Sequence, residues 1–134
     1  MSDPSVALQS AVVARLKGHA AVTALVADRV YDEVPTAATY PYINISGGQV
    51  IGDDDDCGDG SEVTFQLHAW AQPPSAGAKV KQIAGAIRTA MRSPLVIAGF
   101  ENLLQDFSQA QWLEEPDGKI RHAVIEFRFI IAHP

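Results

Sequence analysis

The segment Arg121-His122-Ala123-Val124-Ile125-Glu126-Phe127-Arg128-Phe129-Ile130-Ile131 decides the fold of this chain. Ala123, Ile125, Phe127, Phe129 and Ile131 point one way and His122, Glu126 and Arg128 the other, the period-two pattern of a strand with one buried face. Such a strand is expected centrally in a sheet. Working outward, a second strand sets Val63, Phe65 and Leu67 against Thr64, Gln66 and His68, and Pro73-Pro74-Ser75 stops it. Alternation of this kind suits an antiparallel sheet with one solvated face, whereas a buried parallel strand reads as a continuous apolar run. β-branched and aromatic residues predict further strands at Val30–Val34 and Tyr42–Ser46, joined through Pro35, and near Leu103–Leu113. Gly47-Gly48 predicts a bulge or a bend. Glu115-Pro116-Asp117-Gly118 predicts the turn into the last strand, proline pre-setting φ and glycine accepting a positive one.

Helical periodicity is clearest from about Ala76 to Arg92. Val80, Ile83, Ala84, Ile87 and Met91 form one stripe, and Lys79, Lys81, Gln82, Arg88 and Arg92 lie largely off it, as for a helix resting on a sheet. Ser93-Pro94 ends it, and a short apolar piece, Leu95–Ala98, follows. Near the start, Pro4–Lys17 places Val6, Leu8, Val12, Val13 and Leu16 mostly on one stripe, with Ser2 or Asp3 available as N-cap and Gly18 as terminator. A short helix over Ala20–Val26 would pack Ala21, Leu25 and Val26 back on the first. The expected architecture is a single α+β domain spanning residues 1–134: a mostly antiparallel sheet, one long amphipathic helix packed on it, and an N-terminal helical segment.

Composition narrows the function. With 134 residues, 47% hydrophobic and 19% charged, the chain can bury one core and is unlike a disordered segment. No apolar run approaches the roughly 20 residues that span a bilayer. The opening Met1-Ser2-Asp3-Pro4 lacks the basic start of a secretory signal, so the protein is expected in the cytoplasm. Cys57 is the single cysteine and can form neither an internal disulfide nor a Cys-rich zinc cluster. A net charge of −6 argues against a surface that neutralises phosphates. A passage lined with carboxylates would instead repel a DNA backbone and let it slide.

Residues Gly52–Gly60 form a polar loop holding Asp53, Asp54, Asp55, Asp56 and Asp59. Calcium takes several carboxylate oxygens, but the spacing is wrong for a calcium loop. Counting from Asp53 puts Cys57 fifth and Thr64 where a bidentate Glu belongs; counting from Asp55 puts Gln66 there. A solvated acidic surface fits better, and no metal or cofactor is expected. Cys57 with His19, His68, His122 or His133 makes no convincing nucleophile and base, because the surrounding aspartates disfavour a thiolate. Hydrolase elbows, phosphate-cradling glycine loops and zinc-helix motifs are missing from the sequence, so no catalytic residue is assigned. Trp70 and Trp112 fall near strand ends and suit core or interface packing. Lys79, Lys81, Arg88 and Arg92 read as the solvated side of the long helix, or as subunit-contact residues facing the acidic loop of a neighbouring copy.

In order along the chain stand an N-terminal helix, Arg29-Val30-Tyr31-Asp32, Val34-Pro35, Tyr40-Pro41-Tyr42-Ile43, Leu67-His68-Ala69-Trp70, the amphipathic helix, Glu115-Pro116-Asp117-Gly118 and Arg121-His122-Ala123. This succession resembles the tail completion or tail terminator proteins of long-tailed phages and phage-like gene transfer agents. The resemblance implies an α+β subunit, commonly in a hexameric ring, that caps the tail tube at its head-proximal end and joins it to the head connector. The implied partners are further copies of the chain, the tail-tube protein and neck proteins, with DNA passing through unbound and no membrane. Its place would then be the neck of a virion or similar particle. Another neck adaptor or a tail-tube subunit is the nearest alternative; a small metal- or ligand-binding module built on the acidic loop is the alternative of another class, and a calcium-dependent melting temperature would reveal it. Replacing Asp53–Asp56 by serine should leave the far-ultraviolet dichroism native and reduce the yield of joined particles. A normal yield of infectious or transducing particles would count against a working role for the loop.

Overall fold

A computed structural model describes residues 3–52 and 60–133. Helices α1 (Ser5–Lys17) and α2 (Ala20–Val26) precede strands β1 (Val30–Tyr31), β2 (Tyr42–Gly52) and β3 (Gly60–Ala71). Helix α3 (Ala76–Ala90) follows, and strands β4 (Glu101–Glu114) and β5 (Arg121–Ala132) complete the chain. The strands form a five-stranded sheet in the order β1-β2-β3-β5-β4, antiparallel except at the β1–β2 pair. The last strand is therefore interior, as its alternation requires, with β3 rather than β5 at the centre. Residues Gly60–Ala71 pair with Ala132–Arg121 without a slip. Side chains of both strands therefore sort in phase onto two faces.

One face is apolar and covered by the helices. Phe65, Leu67 and Ala69 of β3 and Ile125, Phe127 and Phe129 of β5 share a buried cluster with Val80, Ile83, Ala84 and Ile87 of α3. Helix α1 contributes Leu8, Val12 and Leu16, one face at a spacing of four residues. Val6 is exposed instead, because two residues along a helix turn the side chain about 200° away from Leu8. In α2 the buried pair is Val22 and Val26, again four apart, while Ala21 faces solvent and Leu25 is only partly buried. The Arg15 guanidinium donates to the carbonyls of Ala90 and Ser93, both at 2.8 Å, and of Pro94 at 3.3 Å. These carbonyls lie at and beyond the end of α3, where the helix offers them no internal partner, so one side chain both caps α3 and ties α1 to it.

The edges differ from expectation in length. β1 stops at Tyr31 instead of continuing to Val34; Asp32 and Glu33 bend away, and Pro35 has no amide to extend a ladder. β2 continues past Ser46 to Gly52, because the predicted bulge at Gly47-Gly48 shifts its register without ending it. Gly48 has φ of 102°, and a Cβ there would lie 2.1 Å from the Thr64 carbonyl oxygen, so no larger residue fits. β4 exceeds its expected span at both ends and carries register shifts at Asn102/Leu104 and Phe107/Gln109. Leu95 and Ile97 of the preceding connection are buried. The Gln105 side chain fixes that connection, donating to Met91 O at 2.7 Å and Ser93 O at 3.1 Å and accepting from Leu95 N at 2.9 Å.

Candidate assembly surface

The sheet face away from the helices carries Glu62, Thr64, Gln66, His68 and Trp70 from β3 and His122, Glu126 and Arg128 from β5, in phase through the β3–β5 register. Toward the end bearing Gly60, Arg128 Nε meets Glu62 Oε1 at 2.7 Å, and Gln66 Nε2 donates to Glu126 Oε1 at 3.2 Å. At the other end the face becomes an aromatic row crossing four strands. Tyr31 and Tyr40 pack on Tyr42, Tyr42 stacks toward Trp70, and Trp70 lies 3.7 Å, centroid to centroid, from His122. Trp70 Nε1 donates to Asn44 Oδ1 at 2.6 Å, which satisfies its polar atom. Burial pushes the Tyr42 phenol above its ordinary range.

Apart from Val34-Pro35, each short motif that carried the family resemblance outside the helices contributes here. Tyr31, Tyr40, Tyr42, His68, Trp70, Glu115 and His122 come from five separate stretches and meet only because the register aligns them. The residues were legible; their meeting was not, since cross-strand neighbours depend on pairing that no local pattern encodes.

Hydrogen-bond roles along this row follow from its ends. His68 Nε2 lies 2.9 Å from the Ser46 carbonyl, which only accepts, so that nitrogen carries a proton. In neutral His68, Nδ1 is then the acceptor, and His122 Nε2 donates to it at 2.7 Å. His122 Nδ1 faces Glu115 Oε1 at 3.3 Å. Burial and the adjacent His68 hold the His122 pKa below its ordinary value, while Glu115 opposes them. Their mutual bond needs a proton on His122 Nε2 and a lone pair on His68 Nδ1. These contacts make the row a polar staple across β2, β3 and β5.

The sheet's margins form the second part of the surface. β4 is an edge strand along its whole length, and its Leu103, Trp112 and Leu113 are 60%, 50% and 41% exposed. At the opposite margin β1 pairs only with Ile43 and Asn44 of β2, so among the described residues the run Gly47–Gly52 has β3 on one side and no strand on the other. Val50 and Ile51 in that run are 41% and 48% exposed.

The basic residues expected to contact other subunits are divided by the fold. Arg88 lies over the Phe107 ring at 3.9 Å and Lys81 over the Trp112 ring at 5.8 Å, each covering an aromatic of β4 in its own chain. Such contacts contribute about 0.5–1 kcal/mol at exposed sites and leave the charge in water. Lys79 reaches the Gln72 carbonyl at 3.3 Å, and Arg92 is exposed just beyond α3. Asp53, Asp54, Asp55, Asp56, Cys57 and Asp59 lie outside the described residues. Among the described residues, no three His, Cys, Asp or Glu side chains are grouped to hold a metal.

The family model described as tail completion protein gp17 matches residues 10–132. The chain belongs to the tail completion protein gp17 family. The tail completion protein gp17 of Bacillus phage SPP1 is 26% identical over 126 residues, 93% of this chain and 92% of that protein. The solved structure of bacteriophage SPP1 gp17 superposes with a TM-score of 0.62 at 25% identity, covering 93% of this chain and 88% of the other. A chain from the virion of a native gene transfer agent particle gives a TM-score of 0.89 at 25% identity, covering 98% of this chain and 99% of its own. This tail completion protein is thus a structural component of a phage-like particle and not an enzyme.

His122 makes stability pH-dependent in a defined direction. His122 binds its proton less readily folded than unfolded, so the unfolded chain gains protons first as pH falls below about 6.5. Stability from this group is complete above that pH and is lost toward lower pH. The melting temperature should fall by on the order of a few degrees between pH 7.5 and 5.5, and His122→Gln should flatten that slope. Equal slopes in the two proteins would refute the assignment.

Proposed function

We propose that this tail completion protein closes into a homohexameric ring at the head-proximal end of the tail tube and joins the tail to the head connector. The reading rests chiefly on the superposition along almost the entire length with a chain of a gene transfer agent virion, TM-score 0.89. A rotationally closed ring needs two different contact surfaces on each subunit, held at a fixed angle by a rigid body. The sheet offers two exposed margins, and its aromatic–histidine row and helix-covered face stiffen what lies between them. The partners in this reading are further copies of the chain, the tail-tube protein and neck proteins. DNA passes through the centre, repelled by a chain of net charge −6. Asp53–Asp56 and Asp59 supply the lumen or axial contact. Lys79, Lys81, Arg88 and Arg92 supply a positive flank for the acidic loop of a neighbour, with Lys81 and Arg88 pre-positioned by their aromatic platforms.

Deleting the gene tests the reading. Electron micrographs should show filled heads and separate tails, and purified protein added back should restore joined particles. Heads still united with tails of normal length in the deletion strain would contradict it.

A further inference from the structure

The two exposed margins of the sheet are unlike one another, and the difference bears on how copies meet. β4 carries Glu101, Asp106 and Glu114 and no basic residue, together with exposed Leu103, Trp112 and Leu113. The free run of β2, Gly47-Gly48-Gln49-Val50-Ile51-Gly52, carries no charge, has three glycines, and exposes Val50 and Ile51. Beside it opens a groove of about 310 Å³, lined in part by Ser5, Gln9, Asp32, Ile45, Val50 and Phe65. One margin presents large side chains and carboxylates; the other presents small residues and space.

Strand direction adds a second constraint. β2, β3, β5 and β4 are successively antiparallel, so β2 and β4 run in opposite directions. Rotation about an axis roughly along the strands preserves each direction. It would bring β4 of one copy beside β2 of the next as an antiparallel pair, which is the readily formed ladder. The competing arrangement, β4 against β4 about a two-fold axis, would set Glu101 and Asp106 of each copy against the same strand, Glu114 being paired with Arg121 of its own chain, and like charges across a strand pair are destabilising. A long edge strand with unpaired amides and carbonyls is a template for pairing that proteins normally blunt. Here the carboxylates and the two bulges blunt β4 against itself while leaving it open to a neutral partner.

We propose that β4 of one subunit pairs antiparallel with Gly47–Gly52 of β2 in the next, so that the sheets join head to tail around the ring. The proposal rests on the ring reading above and names the surfaces that close the ring. Part of β4 then lies against the six residues of the glycine-rich margin and its groove, and every subunit uses both margins once.

Two edge-blocked proteins separate the possibilities: Val50→Asp/Ile51→Asp on β2, and Leu103→Asp/Leu113→Asp on β4. All four side chains are exposed, so circular dichroism and thermal unfolding should match those of the unmodified protein. Native mass spectrometry is run on each protein alone, and on a 1:1 mixture whose two masses differ. Tails isolated from the deletion strain are also loaded with each protein and imaged. The unmodified chain should close into rings, in solution or on tails, and each variant alone should close none. The mixture should give a heterodimer and nothing larger, because one intact β4 and one intact β2 remain. Self-dimerisation of the β2-blocked variant, rings from either variant, or monomers only in the mixture would each overturn the proposal. If the unmodified chain forms no ring in solution or on tails, the ring reading fails and this contact fails with it.

Discussion

The ladder between β3 and β5 runs without a slip from Gly60–Ala132 to Ala71–Arg121, and the rest of the molecule depends on that register. Because side chains alternate along a strand, a shift of one residue would send Phe127 and Phe129 to solvent and Glu126 and Arg128 into the helices. Holding phase over the full length of both strands gives one face that only apolar helices can cover and one that stays polar. Leu8, Val12 and Leu16 of α1 and the Val80–Ile87 stripe of α3 answer the first face. The second face is left to Glu62, Gln66, His68, Trp70, His122, Glu126 and Arg128, which satisfy one another.

The same register produces the aromatic–histidine row. Trp70 stands opposite His122 and beside Tyr42, so a stack forms with no loop involved. Its donors find acceptors at the ends: Asn44 accepts from Trp70 and the Ser46 carbonyl from His68, while Glu115 Oε1 lies 3.3 Å from His122 Nδ1, an ion pair only when His122 is protonated. Glu115 is held by a turn in which Asp117 Oδ1 accepts from Lys119 N at 2.8 Å and Ile120 N at 3.0 Å. A row anchored in this way stiffens the sheet transversely, the direction in which a ring would load it.

Much of the fold could be read from local pattern. The period-two alternation of β3 and β5, the stripe of α3 and the Glu115–Gly118 turn are strong local signals, and each element forms where its pattern places it. Where the reading missed, a distant contact decided. Val6 and Ala21 belong to helices whose buried face is chosen by Leu8, Val12 and Val22, and composition alone does not fix that angle. β2 outlasts Ser46 because Gly48 lies against the Thr64 backbone and so lets the ladder resume, a fact about β3 rather than about β2. The stacking of Arg88 on Phe107 and of Lys81 on Trp112 likewise joins residues far apart in sequence. The residues of the aromatic–histidine row were legible as members of separate motifs and illegible as a row, because pairing order is a global property.

Strand order leaves this tail completion protein with a sheet that is finished on its faces and unfinished at its margins. The helix-covered face and the polar face make a rigid plate; β4 and Gly47–Gly52 are the margins that, among the described residues, have a strand neighbour on one side only. Amide hydrogen exchange, compared between the free protein and the same protein in assembled particles, tests this most directly. Amides of β3 and β5 should be protected in both states, whereas those of β4 and Gly47–Gly52 should exchange quickly in the free chain and slowly after assembly. Equally fast exchange of β4 in assembled particles would contradict the account.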